Sequence, residues 1–254
     1  MKLLGDYHTH TIYSRHNHGK GTIEQNVMVA LKKSLKQIAI TDHGFNHKFY
    51  GVKRENIDEM RKEVERLNQL YNIDVLLGVE ANLISSDGLI DLTPEDEQKL
   101  DVVLMGYHKC VKVPKLKDKI KFFDNNRLGK YFGYTKSMIQ KHTDAYLRAI
   151  DKNNIDVLTH LNYGMPVDCL QIAKLAKEKD VFIELNGKRT IFTQEEVNKM
   201  VDMKVKFIVN SDAHKPENVG ECNLPTNFAL VHHIPDELII NFNELPKFKM
   251  HRKD

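Results

Sequence analysis

The chain has 254 residues, 41% hydrophobic and 29% charged, which is long enough for one globular domain with a real core and excludes disorder or collagen-like architecture. Thirty-eight Lys and Arg stand against 35 Asp and Glu, and the resulting formal charge of +3 is too small to imply a polyanionic partner by itself. Cys110, Cys169 and Cys222 lack paired spacing, residues 1–6 carry no charged-then-apolar signal, and no apolar run approaches the ~20 residues of a membrane span. Reduced thiols, a cytoplasmic location and no membrane attachment are expected. The outlier is histidine, at 13 residues.

In chain order, short and nearly all-apolar runs occupy residues 2–7, 37–41, 73–79, 101–107, 155–159, 181–185 and 206–211, the pattern of buried parallel strands. Helical spacing lies between them. Over residues 54–71, Ile57, Met60, Val64, Leu67 and Tyr71 recur at steps of three and four and predict a helix packed outside a sheet. Thr22 with Gln25 and Thr193 with Glu196 fit the capping box, and Thr93-Pro94 predicts a third helix start. Strand and helix alternate without a Gly/Ser/Pro-rich linker, so a single α/β domain over residues 1–254 is expected. Seven strands fall one short of the (β/α)8 barrel, which favours a distorted or incomplete barrel over a regular one and over a doubly wound sheet.

The histidines and acids fall where those strands end. The runs lead into Asp6-Tyr7-His8-Thr9-His10, Thr41-Asp42-His43-Gly44, Gly78-Val79-Glu80, Gly106-Tyr107-His108, Thr159-His160 and Ser211-Asp212-Ala213-His214. Six of seven strands thus deliver His, Glu or Asp to the C-terminal end, the face where barrel enzymes build their sites. In His8-x-His10 and Asp212-x-His214 the partners sit two apart, and such residues of an extended chain face the same way and can reach one metal. Imidazole with a few carboxylates suits Zn, Fe or Mn rather than Mg or Ca. Any one of these histidines alone fits a hydrogen-bonded core residue; six of seven strand ends together do not.

The order H-x-H, T-D-H-G, G-V-E, G-Y-H, T-H and S-D-A-H, from residue 8 to residue 214, resembles the PHP family, named for polymerase and histidinol phosphatase. His16, six residues after His10, matches a further position of the family branch that holds three metals, as in small bacterial phosphatases, so that all nine ligand positions of that branch are filled. The resemblance implies a distorted (β/α)7 TIM-like barrel. It implies one metal on His8, His10, Glu80 and Asp212, a second on His16, His43 and His214, and a third on Glu80, His108 and His160. Zinc is the expected ion, with iron or manganese as alternatives, and Glu80, Asp212 and His214 are expected to serve the reacting centre directly. The segment after His108, Lys-Cys-Val-Lys-Val-Pro-Lys, departs from the family pattern.

Divalent ions close together would clamp a phosphoryl oxygen and lower the pKa of a shared water from ~15.7 toward about 7, a nucleophile that needs no Ser or Cys. Consistently, the chain has no G-x-S-x-G elbow, P-loop or G-x-G-x-x-G fingerprint. Asp6 and Asp42, each beside a ligand histidine, are candidates either to accept imidazole N–H bonds or to serve as strand-end caps. Residues 109–130 carry eight basic side chains (Lys109, Lys112, Lys115, Lys117, Lys119, Lys121, Arg127 and Lys130) against Asp118 and Asp124, which makes the segment +6. It follows a ligand and is expected to overhang the metal face, where it could attract an anion or simply be a solvated loop. Arg15, Lys109 and Arg189, with Lys188, are the candidate phosphate contacts.

The leading expectation is a metal-dependent phosphatase acting on small phosphomonoesters. A 3′–5′ exonuclease or phosphodiesterase of the same family is the second, lowered by the lack of any polymerase or helix-hairpin-helix segment and by few interleaved aromatics. An amidohydrolase commonly uses a strand-four lysine bridge, where this chain offers Glu80. A non-catalytic, metal-stabilised binding module would close its ligand shells, whereas a hydrolase keeps one position open.

Overall fold

Every apolar run predicted as a strand forms one. β1 (Gly5–Asp6), β2 (Gln37–Ile40), β3 (Asp74–Asn82), β4 (Val102–Gly106), β5 (Val157–Leu158), β6 (Phe182–Asn186) and β7 (Phe207–Asn210) pair in chain order, all parallel. The computed structural model describes residues 2–249, apart from the side chains of Lys117, Lys121 and Asn125. Residues 1 and 250–254 of the expected domain, and the side chains of Lys117 and Lys121 of the basic segment, therefore lie outside the described residues. Among the described residues, no helix is long and apolar enough to cross a membrane.

β1 and β7 meet without a full ladder. At the C-terminal mouth they are joined by a bridge between Thr9 and Ala213, where His10 N–H donates to Ala213 O at 2.8 Å. Lower down, the buried Asn241 fills the seam: its Nδ2 donates to Gly5 O (2.9 Å) and Val209 O (2.6 Å), and its Oδ1 accepts from Val209 N–H (3.0 Å). A side-chain amide thus stands in for the backbone groups of the strand this seven-stranded barrel lacks, satisfying donors and acceptors that burial would otherwise leave unpaired.

The core has two layers. Inside the barrel, Ala39, Leu76, Leu104, Val157, Phe182 and Ile208 pack together. Outside, the helices close over the other face of the strands: helix Ile57–Leu70 buries Ile57, Met60, Val64 and Leu67 as the spacing predicts, and Tyr71 becomes its C-cap. The capping boxes at Thr22 and Thr193 form, and Thr93 makes a third with Asp96.

This alternation positions the chemistry. Side chains two or four residues beyond an inward apolar one share its face, so Leu76 leads to Glu80, Leu104 to His108 and Phe182 to Glu184. The bottom of the barrel is hydrocarbon and its mouth is polar. β3 runs three residues past the predicted end, so Glu80 sits within the strand, paired with Leu104 of β4. Gly106 is small for a reason: a Cβ there would collide with Thr159 Oγ1 and His160 Cε1.

Candidate active site

At the mouth, the carboxylate of Glu80 is the centre of a ring of imidazoles. Glu80 Oε1 lies 2.9 Å from His160 Nε2, 3.2 Å from His108 Nε2 and 3.3 Å from His8 Nε2, and Oε2 lies 2.9 Å from His43 Nδ1 and 3.7 Å from His10 Nε2. Asp212 Oδ1 approaches His214 Nδ1 (3.3 Å), His10 Nε2 (3.5 Å) and His8 Nε2 (3.8 Å). Among the described residues, three groupings have ligand atoms close enough for one ion each: His8, His10 and Asp212; His10, His43 and His214; and His43, Glu80 and His108. Asp212 and His160 adopt left-handed backbone, with φ of 54° and 32°. Non-glycine residues held there are strained, a cost that functional sites commonly carry.

The residues fit metal ions. Nε2 of His8 and of His10, both ring nitrogens of His43, Nδ1 of His108 and of His160, and Oε2 of Glu80 are buried without a hydrogen-bond partner. Orphaned polar atoms at full burial are costly, and those of His8, His10 and His43 that face Glu80 and Asp212 are what divalent cations satisfy.

The electrostatics agree. Burial would push the Glu80 carboxyl up, yet His108 and His8 hold it well below the usual range; burial is likewise overcome at Asp212 by His8, His10 and His214. Burial drives His43 down to about 3, and burial with His214 and His43 nearby holds His10 well below the imidazole range. Ionised carboxylates and neutral imidazoles are the forms that ligate. His8 and His160 go the other way: burial lowers them, but Glu80 and Glu184 outweigh it. The protons they attract answer the same negative charge a cation would.

Of the nine expected ligands, the structure brings together His8, His10, His43, Glu80, His108, His160, Asp212 and His214. His16 is not among them. It is exposed in a tight turn at φ 57°, and the chain reverses so that His18 enters the cluster instead, with Nε2 2.9 Å from His214 Nε2 and its ring stacked on Tyr50. Burial, with His214 beside it, lowers His18 to about 4. His18→Ala is therefore expected to lower metal affinity at least ~10-fold, on the scale of a lost ligand or ligand support, while His16→Ala leaves it within about twofold. Metal titration of the two variants checks it, and the reverse ranking would restore His16.

Asp6 and Asp42 do not reach an imidazole ring. Asp6 accepts from Ser211 N–H and Oγ–H and from Gly220 N–H; Asp42 accepts from the backbone and hydroxyls of Thr11 and Ser14. Both are buried turn caps. The role of orienting a ring falls to Glu184, absent from the expected set. It is buried, its Oε1 accepts from His8 Nδ1–H (2.7 Å) and Asn210 Nδ2 (3.0 Å), and its Oε2 accepts from His160 N–H and Asn186 Nδ2, both at 2.8 Å. A lone acid inside the apolar run at residues 181–185 was its only signal.

Above the ring lies a cavity of about 390 Å3 whose wall includes Lys109, Lys188, Arg189, His47, Tyr107 and Tyr163. Asn186 Oδ1 accepts from the backbone N–H of Lys188 and Arg189 and so fixes their loop. Lys188 Nζ lies 3.1 Å from Asp212 Oδ1 and 2.7 Å from His214 Nδ1, and the Arg189 guanidinium sits 3.8 Å above the Tyr163 ring. Arg15 is elsewhere: its guanidinium donates to the carbonyls of Gly51, His47 and Lys48, holding the loop rather than facing the cavity.

A probable phosphatase of Caldanaerobacter subterraneus subsp. tengcongensis is 28% identical over 95% of this chain and 88% of that protein. Another, of Thermoanaerobacter sp. strain X514, is 29% identical over 100% of this chain and 96% of its own. Among solved structures, the histidinol phosphate phosphatase of Lactococcus lactis subsp. lactis Il1403, complexed with zinc, L-histidinol and phosphate, superposes with a TM-score of 0.60 at 14% identity over the full length of both chains, which speaks for the fold. The family model of the PHP domain matches residues 6–188, a stretch that carries His8, His10, His43, Glu80, His108 and His160. The chain therefore belongs to the PHP domain family.

Proposed function

We propose that the protein is a metal-dependent phosphatase that hydrolyses small phosphomonoesters. The observation that carries this reading is the set of partnerless imidazole and carboxylate atoms beneath a cavity walled by Lys109, Lys188 and Arg189. Relatives along nearly the whole chain bear the name of phosphatases, which supports it.

His8, His10, Asp212, His43, His108, His160, His214, Glu80 and His18 would hold up to three ions, zinc first by ligand type and iron or manganese next. When bound, the ions supply positive charge to phosphoryl oxygens and bring a water's pKa toward neutrality. The chain's own groups do the rest. Lys188 and Arg189, on one anchored loop, and Lys109, which lines the same cavity, present donors to the phosphate oxygens. His47 Nδ1 accepts from Tyr50 N–H at 3.0 Å, which keeps a proton on Nε2 as a donor on the cavity wall. Burial and the nearby His108 lower His47 to about 4, so this donor is neutral near pH 7. Water adds to phosphorus, the ester P–O bond breaks, and the departing oxygen gains a proton.

Metal-loaded protein assayed against phosphomonoesters, phosphodiesters and single-stranded DNA tests the assignment. Phosphomonoesters are expected to turn over and a chelator to abolish it. Turnover confined to phosphodiesters or DNA would transfer the assignment to a nuclease, and none at all would leave a binding module.

A further inference from the structure

Residues 116–132 form one helical run: Leu116–Asp118, a π-helical stretch Lys119–Asp124, and Asn125–Phe132. Its burial is inverted. The side toward the barrel carries Asp118, Phe122 and Asn126, all buried. Asp118 Oδ1 accepts from Ser86 N–H (3.0 Å) and Oγ–H (2.7 Å), Asn126 Nδ2 donates to Gly164 O (2.9 Å), and Phe122 meets the His142 ring edge to face. Leu116, Ile120, Leu128, Tyr131 and Phe132 are exposed, from 51% at Leu128 to 85% at Phe132. Asp118, Phe122 and Asn126 each lie two positions from Leu116, Ile120 or Leu128, about 200° round an α-helix, so the two sets occupy opposite faces.

The π-helical stretch aligns the outward set. Leu116 and Ile120, and again Leu128 and Phe132, are four apart and so neighbours on the helix surface. Ile120 and Leu128 are eight apart, which in a regular α-helix leaves them about 80° out of line. The wider turn of Lys119–Asp124 takes up that excess. The result is a convex apolar ridge, the kind of exposed patch that marks an interaction site. Lys119, Arg127 and Lys130 of the same run are exposed as well, and residues 109–130 carry +6 in a chain whose net charge is +3.

We propose that this run docks the protein on an anionic lipid surface, lying in the plane of the headgroups with Ile120, Leu128 and Phe132 inserted and Lys119, Arg127 and Lys130 against lipid phosphates. An interfacial helix combines these features: an apolar face, long cationic side chains whose stems lie along it, and a tyrosine at headgroup depth. A bilayer yields to protruding side chains and needs no groove matched to the ridge. A second copy meeting ridge to ridge would bring +6 against +6. The expectation of no membrane attachment rested on the length of a span, a criterion that does not govern a helix lying in the interface. Phe123 of the run stacks on Tyr107, the neighbour of His108, so docking would hold the mouth of the barrel next to the lipid.

The chain has no tryptophan, so Phe132→Trp puts a single indole on the ridge, and Leu70→Trp puts one at an exposed control position on the helix Ile57–Leu70. Each full-length variant is titrated at low salt with phosphatidylglycerol-containing vesicles and with phosphatidylcholine vesicles. The expected result is a blue shift of the Phe132→Trp emission alone, with at least ~10-fold tighter partition onto the anionic vesicles that weakens at high salt. Adding Ile120→Gln/Leu128→Gln should weaken partition at least ~10-fold, and adding Lys119→Gln/Lys130→Gln about fivefold per lysine. Circular dichroism should be unchanged, since all four side chains are exposed. No shift on either vesicle, equal partition onto both, or a shift that the double variants leave intact overturns the proposal. A shift with polyglutamate and none with vesicles overturns it in favour of an acidic protein. Self-association by sedimentation that Ile120→Gln/Leu128→Gln abolishes, without vesicle binding, overturns it in favour of a second copy.

Discussion

Glu80→Gln is expected to leave the barrel folded while lowering turnover and metal occupancy by at least ~100-fold, the scale on which loss of well-placed electrostatic stabilisation registers. Glu80 is buried at the centre of five imidazoles, and its two oxygens face different members of the ring: His160, His108 and His8 around Oε1, His43 and His10 around Oε2. A carboxylate can offer each oxygen to a separate cation. Glutamine keeps the shape but removes the charge and one ligating atom. The isosteric change costs little packing, because Thr159 Oγ1–H can still donate to the remaining oxygen. Metal content, circular dichroism and turnover on one purified variant decide it; wild-type turnover at full occupancy would remove Glu80 from the site.

Glu184→Gln should weaken metal binding by about 10- to 100-fold, although Glu184 belongs to none of the ligand groupings and acts by positioning. All four groups on its carboxylate are donors: His8 Nδ1–H and Asn210 Nδ2 on one oxygen, His160 N–H and Asn186 Nδ2 on the other. Whichever way a glutamine amide is turned, its NH2 meets donors. With the NH2 toward His8, the ring can relieve the clash only by moving its proton to Nε2, the nitrogen that faces Glu80 and Asp212, and that tautomer cannot ligate there; turned the other way, the NH2 meets His160 N–H and displaces that ligand's backbone. The signature of positioning is a split: affinity for metal falls, and turnover recovers in part at saturating metal. Thermal unfolding on the same sample reports the cost of the unpaired donors. Unchanged metal affinity would reduce Glu184 to a structural hydrogen-bond hub.

Which parts of this site are visible in the amino-acid order follows from how each is built. Strands buried on both faces must be apolar throughout, so the seven runs stand out, and the first polar residues after them fall at the mouth. That logic reaches His8, His10, His43, His108, His160, Asp212 and His214 directly. It fails for Glu184, because an acid one residue before the end of an apolar run looks like an irregularity of the strand rather than a group aimed at His8. It fails between His16 and His18, because the turn after His10 has no period; two left-handed residues, His16 and Asn17, set which ring returns to the cluster. Asp6 and Asp42 show the converse: proximity in sequence to a ligand histidine placed them beside backbone N–H groups, not beside a ring. Arg15 sits near a strand end yet is tied to carbonyls. A second cavity, of about 880 Å3, arises where the 107–134 segment meets Lys48 and the 163–166 turn, a juxtaposition with no local pattern.

The central claim is a multinuclear metal centre on the C-terminal face of the barrel, and counting the metal tests it most directly. Protein purified without chelator and supplied with zinc, manganese and iron should carry ~2 to 3 transition-metal ions per chain by elemental analysis, because nine convergent ligand side chains exceed what one ion of four to six positions can use. Fewer than about one ion per chain under those conditions would contradict it.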